Sequence, residues 1–239
     1  MLSREFLIER GYCCGHGCLM CPYVPKHTKG NKVMKKNILI VSALEVETQG
    51  QLEDWKPHNL LITGVGKVNA THHLTKRLQD DRSINYDARI NLVINYGTAG
   101  SQHWKYRKGD LVDCTRFVQR DMDVSGLGFK LGQTPFEKDI PIIIESDSDF
   151  NPIGNDVLCG SGDSFVTVDQ FNWKNLIDVV DMEAYALAKV CKLYDVPFIS
   201  FKYITDEADG DAGDDWEENV GKGIVKFKEK VLDKLPKSL

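Results

Sequence analysis

From Asn37 onward the chain alternates short apolar runs with longer amphipathic stretches, and this alternation confines it to an α/β architecture. The apolar runs at residues 38–43, 60–63, 90–96, 140–145, 156–160 and 197–204 are bounded by Gly, Asp or Pro. They read as strands buried on both faces, the pattern of parallel sheets. Residues 68–78, 182–194 and 216–235 carry apolar side chains at spacings of three and four and read as helices. In 182–194 the set Ala186, Leu187, Val190 and Leu193 is expected to face the sheet. The fold class is therefore α/β, a three-layer α/β/α sandwich, with ligands expected beyond the strand C-termini.

A chain of 239 residues has room for one large domain with a small appendage. Its 42% hydrophobic and 27% charged residues exclude a disordered or fibrous chain. The net charge of −5 argues against nucleic acid as a partner, and no apolar run approaches the ~18 residues of a membrane span. Arg4, Glu5, Glu9 and Arg10 interrupt anything resembling a signal-peptide core, so a cytoplasmic protein is expected. The average charge hides a contrast, because residues 1–36 hold seven Lys or Arg against Glu5 and Glu9, whereas the remainder is near −10. Three parts follow: a Cys-rich segment at 1–24, a basic linker at 25–36 and the main domain at 37–239.

Cysteine usage divides the same way. Cys114, Cys159 and Cys191 lie among apolar neighbours and read as reduced core residues. Cys13, Cys14, Cys18 and Cys21, with His16 between them, crowd the N-terminus. Thiolates at that spacing suit a soft metal, so zinc, an iron–sulfur cluster and free redox-active thiols are the three readings of this cluster. Residues 3–28 resemble a short bacterial Cys-rich domain of unknown function, which implies no activity.

The main domain places carboxylates and glycines at strand ends in Ser42-Ala-Leu-Glu-Val-Glu47, Thr63-Gly-Val-Gly-Lys-Val68, Asn95-Tyr-Gly-Thr-Ala-Gly100 and Ile204-Thr-Asp-Glu-Ala-Asp209, and Val180-Asp-Met-Glu-Ala184 places a carboxylate where a strand or loop enters a helix. Taken singly, a carboxylate at a helix N-terminus is explained by capping, and a glycine after a strand by a turn. Together with Asp121-Met-Asp-Val124 through Gly132-Gln133 and Ser161-Gly-Asp-Ser-Phe165, and in this order, they mean more. The chain resembles the 5′-methylthioadenosine/S-adenosylhomocysteine nucleosidases of the nucleoside phosphorylase superfamily over nearly all of residues 37–235. Two positions depart from the commoner bacterial pattern, Asp181 standing for Glu and Lys202 for Arg.

That resemblance implies a central mixed, twisted sheet and hydrolysis of an adenine nucleoside without a catalytic cofactor. Breaking the ribosyl bond leaves positive charge on the sugar and negative charge on the base, so an acid and a water-activating base are both needed. By resemblance Asp206 is the acid at adenine N7, and burial behind the apolar run before it is expected to raise its pKa. Glu47 activates the water. Glu183 accepts the ribose hydroxyls, with Asp181 and Met182 beside it. Phe165 stacks on adenine with Val166 near it, and Ala99 and Gly100 line the other wall. Val124, Leu127, Phe129 and Pro135 are expected at a homodimer interface, facing the neighbouring subunit's pocket and suiting a thioether at the 5′ position.

A phosphorylase would hold a phosphate dianion with arginine forks. Position 95, where superfamily phosphorylases place one, is Asn95, and position 47 is a carboxylate that would repel phosphate. Water is therefore the expected nucleophile. The competing readings are a nucleosidase for AMP or a futalosine-like compound, a phosphate-dependent phosphorylase and a non-catalytic nucleoside-binding protein.

Overall fold

The computed structural model describes residues 14–16, 29, 37–55, 59–82, 89–167, 173 and 176–235. The Cys-rich segment and the basic linker thus lie almost wholly outside the described residues, as do Cys13, Cys18 and Cys21.

Eight strands form one mixed sheet: β1 Ile38–Ser42, β2 Leu60–Ile62, β3 Leu92–Ser101, β4 Leu111–Gln119, β5 Ile143–Glu145, β6 Val157–Ser161, β7 Val179–Asp181 and β8 Phe198–Asp206. Helices α1 Glu45–Thr48, α2 Lys67–Arg82, α3 Ala184–Tyr194, α4 Ala212–Asn219 and α5 Ile224–Lys230 complete the framework. Strand β1 alternates Ile38 and Ile40 toward one face with Leu39 and Val41 toward the other. The first pair packs with Tyr96, Phe201 and Phe227 under α5, the second with Ala70, Leu74, Leu187 and Val190 of α2 and α3. These are the three expected layers, each face of the sheet being covered by helices.

The sheet is less open than a simple sandwich. Strand β3 pairs in parallel with β1 and β8, and at its far end antiparallel with β7. Strand β8 also pairs antiparallel with β4, β4 in parallel with β6, and β6 in parallel with β7. Strands β3, β8, β4, β6 and β7 therefore close into a ring. The ring brings Gly100, Asp206, Asp181 and Ser161 together: Gly100 pairs with both Asp206 and Val180, and Ser161 pairs with Asp181.

Several expectations need correction. Strand β4 is not among the expected strands, because Asp113 and Arg116 interrupt its apolar run, and at Val180, where a strand or a loop is expected, the chain forms the three-residue strand β7. Leu193 does not face the sheet; it is 63% exposed, whereas Ala186, Leu187 and Val190 are buried. The single helix expected at 216–235 is α4, α5 and a 3₁₀ turn at Leu232–Lys234. The break falls at Gly221 and Gly223, where a β-carbon would collide with Gln49 and Tyr203 respectively, so the backbone packs directly on those side chains. Cys114, Cys159 and Cys191 are buried free thiols in the core, as expected.

Candidate active site

A cavity of about 240 Å³ opens where these strand ends meet, close to the lower end of the ~300–1,000 Å³ usual for small-molecule pockets. Its wall contains Glu47, Glu183 and Asp206, together with Ala99, Gly100, Phe165, Val166, Asp181 and Met182. The sequence reading therefore converges on one place for nine of its residues. Val124, Leu127, Phe129 and Pro135 are not part of this wall within the chain; Leu127 is 76% exposed and Phe129 meets Phe136 edge to face.

Glu47 is buried and held by five donors. Its Oε2 accepts Ser42 Oγ at 2.7 Å and the backbone N–H groups of Ala43 and Leu44 at 3.1 Å. Its Oε1 accepts the N–H of Thr98 at 2.9 Å and the Thr98 hydroxyl at 3.1 Å. The N–H of Leu44, the residue that begins α1, is one of these donors, so helix capping is part of what Glu47 does. The contacts to β3 are beyond capping.

Glu183 begins α3, but its side chain makes no capping bond there. Asp181 takes that task, accepting the Ala184 N–H at 2.9 Å. Glu183 instead reaches the start of α2, where Oε1 accepts the Gly66 N–H at 2.8 Å, one of the free donors at a helix N-terminus. Burial, and then the nearby Asp181 charge, push its carboxyl up to about 8. Capping of its own helix therefore does not explain Glu183, which serves the N-terminus of α2 instead.

Asp206 stands at the end of β8, after a bulge that sets Gly100 opposite Asp206 and skips Thr205. Bulges re-aim side chains in this way. Its carboxylate accepts the Thr205 hydroxyl at 2.8 Å and the Ala208 N–H at 2.9 Å. Burial raises its carboxyl above the ordinary range, the direction expected of an acid.

Asp181 lines the cavity with both oxygens engaged. Oδ1 accepts Ser161 Oγ at 2.5 Å, and Oδ2 meets Lys202 Nζ at 2.8 Å as well as the Ala184 N–H. Burial alone would raise this carboxyl, but Lys202 and the hydrogen bonds outweigh it and hold it low.

The glycines at 97 and 100 are within β3 rather than in a turn after it. A β-carbon at 97 would come within 3.1 Å of Glu47 Oε1 and 3.2 Å of Lys202 Nζ. Position 95 is absorbed by the sheet: Asn95 Nδ2 donates to the Val41 carbonyl at 3.0 Å, and Oδ1 accepts Ser200 Oγ at 2.7 Å. Asn95 is not in the cavity wall.

Sequence reasoning missed Leu44, Val65, Arg120, Ser164, Thr205 and Trp216 in the wall, and did not single out Thr98. Arg120 turns its guanidinium onto the loop that carries Phe165, donating to Gly162 O at 3.3 Å, Ser164 Oγ at 3.2 Å and the Ser164 carbonyl. Lys67 fastens the same loop to α2 through Asp163 at 3.0 Å and Asp121 at 2.5 Å. Phe165 is 48% exposed, which excludes ordinary core packing and leaves its ring at the cavity. The acidic stretch after Asp206 is partly paired, Arg107 to Glu207 at 2.9 Å and Lys108 to Asp215 at 2.8 Å. Among the described residues no group of three or more His, Cys, Asp or Glu side chains could hold a metal ion, and no helix is long and apolar enough to cross a membrane.

A family model described as the phosphorylase superfamily matches residues 48–235. A 5′-methylthioadenosine/S-adenosylhomocysteine nucleosidase of Staphylococcus carnosus is 31% identical over 192 residues, covering 74% of this chain and 80% of that enzyme. The nucleosidase of Staphylococcus saprophyticus is 30% identical over 226 residues, covering 87% and 93%. Among solved structures, a mutant Helicobacter pylori nucleosidase with 5′-methylthioadenosine in its active site superposes with a TM-score of 0.72 at 25% identity, covering 84% of this chain and 100% of that one. The futalosine hydrolase of Helicobacter pylori shares the fold, with a TM-score of 0.70 at 24% identity and coverage of 83% and 97%.

Proposed function

The chain belongs to the phosphorylase superfamily and, within it, to the 5′-methylthioadenosine/S-adenosylhomocysteine nucleosidases, and on that premise we propose that it hydrolyses the N-glycosidic bond of an adenine nucleoside and releases adenine. The observation that carries this reading is the convergence of Glu47, Glu183 and Asp206 on one cavity from separate strand ends, each with its own set of partners.

Their environments suit three different tasks. Asp206, raised by burial, holds a proton that it passes to the base nitrogen as the bond lengthens. Glu47, held rigidly by its donors, takes a proton from the attacking water. Glu183 has one donor, the Gly66 N–H, among the described residues, so its carboxylate has capacity for two ribose hydroxyls. Phe165 offers its exposed ring to the base, and Ala99 and Gly100 line the same cavity.

Water rather than phosphate is the nucleophile in this reading. Arg120 is the arginine of the cavity wall, and it donates to Gly162 and Ser164 of the loop that carries Phe165. The 5′ substituent is proposed to be a thioether, as in methylthioadenosine or adenosylhomocysteine. Exposed apolar side chains such as Leu127 and Phe136 support closure of that end by Val124, Leu127, Phe129 and Pro135 of a second copy, in a cytoplasmic homodimer. Adenine release from methylthioadenosine, adenosylhomocysteine, adenosine and AMP, with and without phosphate, tests the reading. Phosphate-dependent turnover would overturn it. For Cys13, Cys14, Cys18 and Cys21 the spacing supports a soft metal, and metal analysis of the wild type against a Cys18→Ser/Cys21→Ser variant decides that question.

A further inference from the structure

Trp216 lies half-buried on α4, in the cavity wall, and donates its indole N–H to Thr98 Oγ1 at 3.1 Å. An indole N–H can only donate, so the Thr98 oxygen accepts. A threonine hydroxyl has one hydrogen. With its oxygen receiving Trp216, that hydrogen is committed to Glu47 Oε1, 3.1 Å away, beside the Thr98 N–H on the same oxygen. Glu47 Oε2 already accepts three donors from its own loop, whereas Oε1 accepts the two of Thr98, so Oε1 is the less crowded oxygen for an approaching water.

We infer that Trp216 is a positioning residue for hydrolysis, acting through Thr98 to fix the orientation of Glu47. The inference rests on the reading that Glu47 activates water. Without the indole N–H, the Thr98 hydroxyl is free to turn, to compete for the hydrogen of the attacking water and to release Oε1. With it, Glu47 is the one acceptor that the water meets. The helix carrying Trp216 is itself secured at both sides: Asn219 Nδ2 donates to the Thr205 carbonyl at 3.2 Å, next to Asp206, and Asp215 pairs with Lys108. One short helix thus connects the acid and the water-activating base.

Steady-state kinetics of adenine release from methylthioadenosine by Trp216→Phe, Thr98→Val, the double variant and Glu47→Gln test this. Trp216→Phe keeps the ring and removes the donor. It should lower kcat about 5- to 10-fold, the rate equivalent of one hydrogen bond, with KM little changed. Thr98→Val should lose at least as much, and the double variant no more than Thr98→Val alone, because both act along one path. Wild-type kcat in Trp216→Phe, a loss confined to KM, or losses that multiply in the double variant would each overturn the inference. Glu47→Gln separates the two levels: an active Glu47→Gln refutes the underlying reading, whereas an inactive one beside a fully active Trp216→Phe refutes only the role of Trp216. Thr98→Val keeps the test open if Trp216→Phe is unstable.

Discussion

A β-carbon at position 100 would stand 2.5 Å from Asp206 Oδ1 and 3.1 Å from the Ala208 side chain, so the bare backbone of Gly100 is what gives the Asp206 carboxyl its place. Gly100→Ala displaces that carboxyl as well as crowding β3. Overpacking of this kind costs ~1–3 kcal/mol of stability. A reacting group moved by about an ångström costs ~100-fold in rate. Urea unfolding and adenine-release kinetics separate the two effects, and a Gly100→Ala variant with full kcat would show that this contact does not place Asp206.

The role of Asp206 should be visible in the pH dependence of kcat, which reports the substrate-bound enzyme. Burial raises its carboxyl, and a general acid works only while protonated. Turnover is therefore full below the raised value and falls as pH climbs through it. Asp206→Asn fills the same space without an acidic proton, so kcat should drop ~100- to 10,000-fold and lose that falling limb. Calorimetry should still find nucleoside binding. Turnover by Asp206→Asn at the wild-type rate would remove the residue from the acid role.

How much of this was legible beforehand depended on how local the signal was. Strands β1, β3 and β8 are almost wholly buried and begin with apolar runs that stood out, whereas β4 places Asp113 and Arg116 among its apolar residues. Buried Asp113 is satisfied by Asn151, Asn155 and Asp156, a solution that no reading of β4 itself could supply. The same limit applies within the cavity. Glu47, Glu183 and Asp206 belong to compact motifs at strand ends. The Trp216–Thr98 bond spans 118 positions, and Arg120 earns its place by touching a loop 44 residues away. The reason for Gly97 and Gly100 was also hidden, since the space they leave is filled by Glu47, Lys202 and Asp206 from elsewhere in the chain.

Lys202 and Asp181, both 1% exposed and 2.8 Å apart, form a buried ion pair at the cavity wall, which Asp181 lines. Removing one member leaves the other charged and buried, which costs ~3–5 kcal/mol. Lys202→Met should therefore lose about that much in urea unfolding. Lys202→Met/Asp181→Leu should recover part of the loss, because no charge is then stranded, although Ser161 and Ala184 each lose an acceptor. A single variant as stable as the wild type would mean that the pair is not a closed unit in solution.

Glu183 offers the sharpest pH test, because two effects with one origin must agree. Burial and the Asp181 charge push its carboxyl up to about 8 in the empty cavity, so at neutral pH the folded protein holds a proton there that the unfolded chain gives up. The stability this provides is full below the ordinary carboxylate pKa and is lost as pH rises toward about 8, so the melting temperature should fall over that interval in the wild type and stay flat in Glu183→Gln. Ribose hydroxyls donate to the charged carboxylate and favour it, so binding a nucleoside below that pH must expel the proton. Calorimetry in two buffers of different ionisation heat should find up to one proton released per nucleoside at about pH 6.5, with Kd rising by as much as ~10-fold per unit of pH below the titration. The release should vanish in Glu183→Gln. Binding without proton release in the wild type would mean that Glu183 does not receive the sugar hydroxyls as a carboxylate.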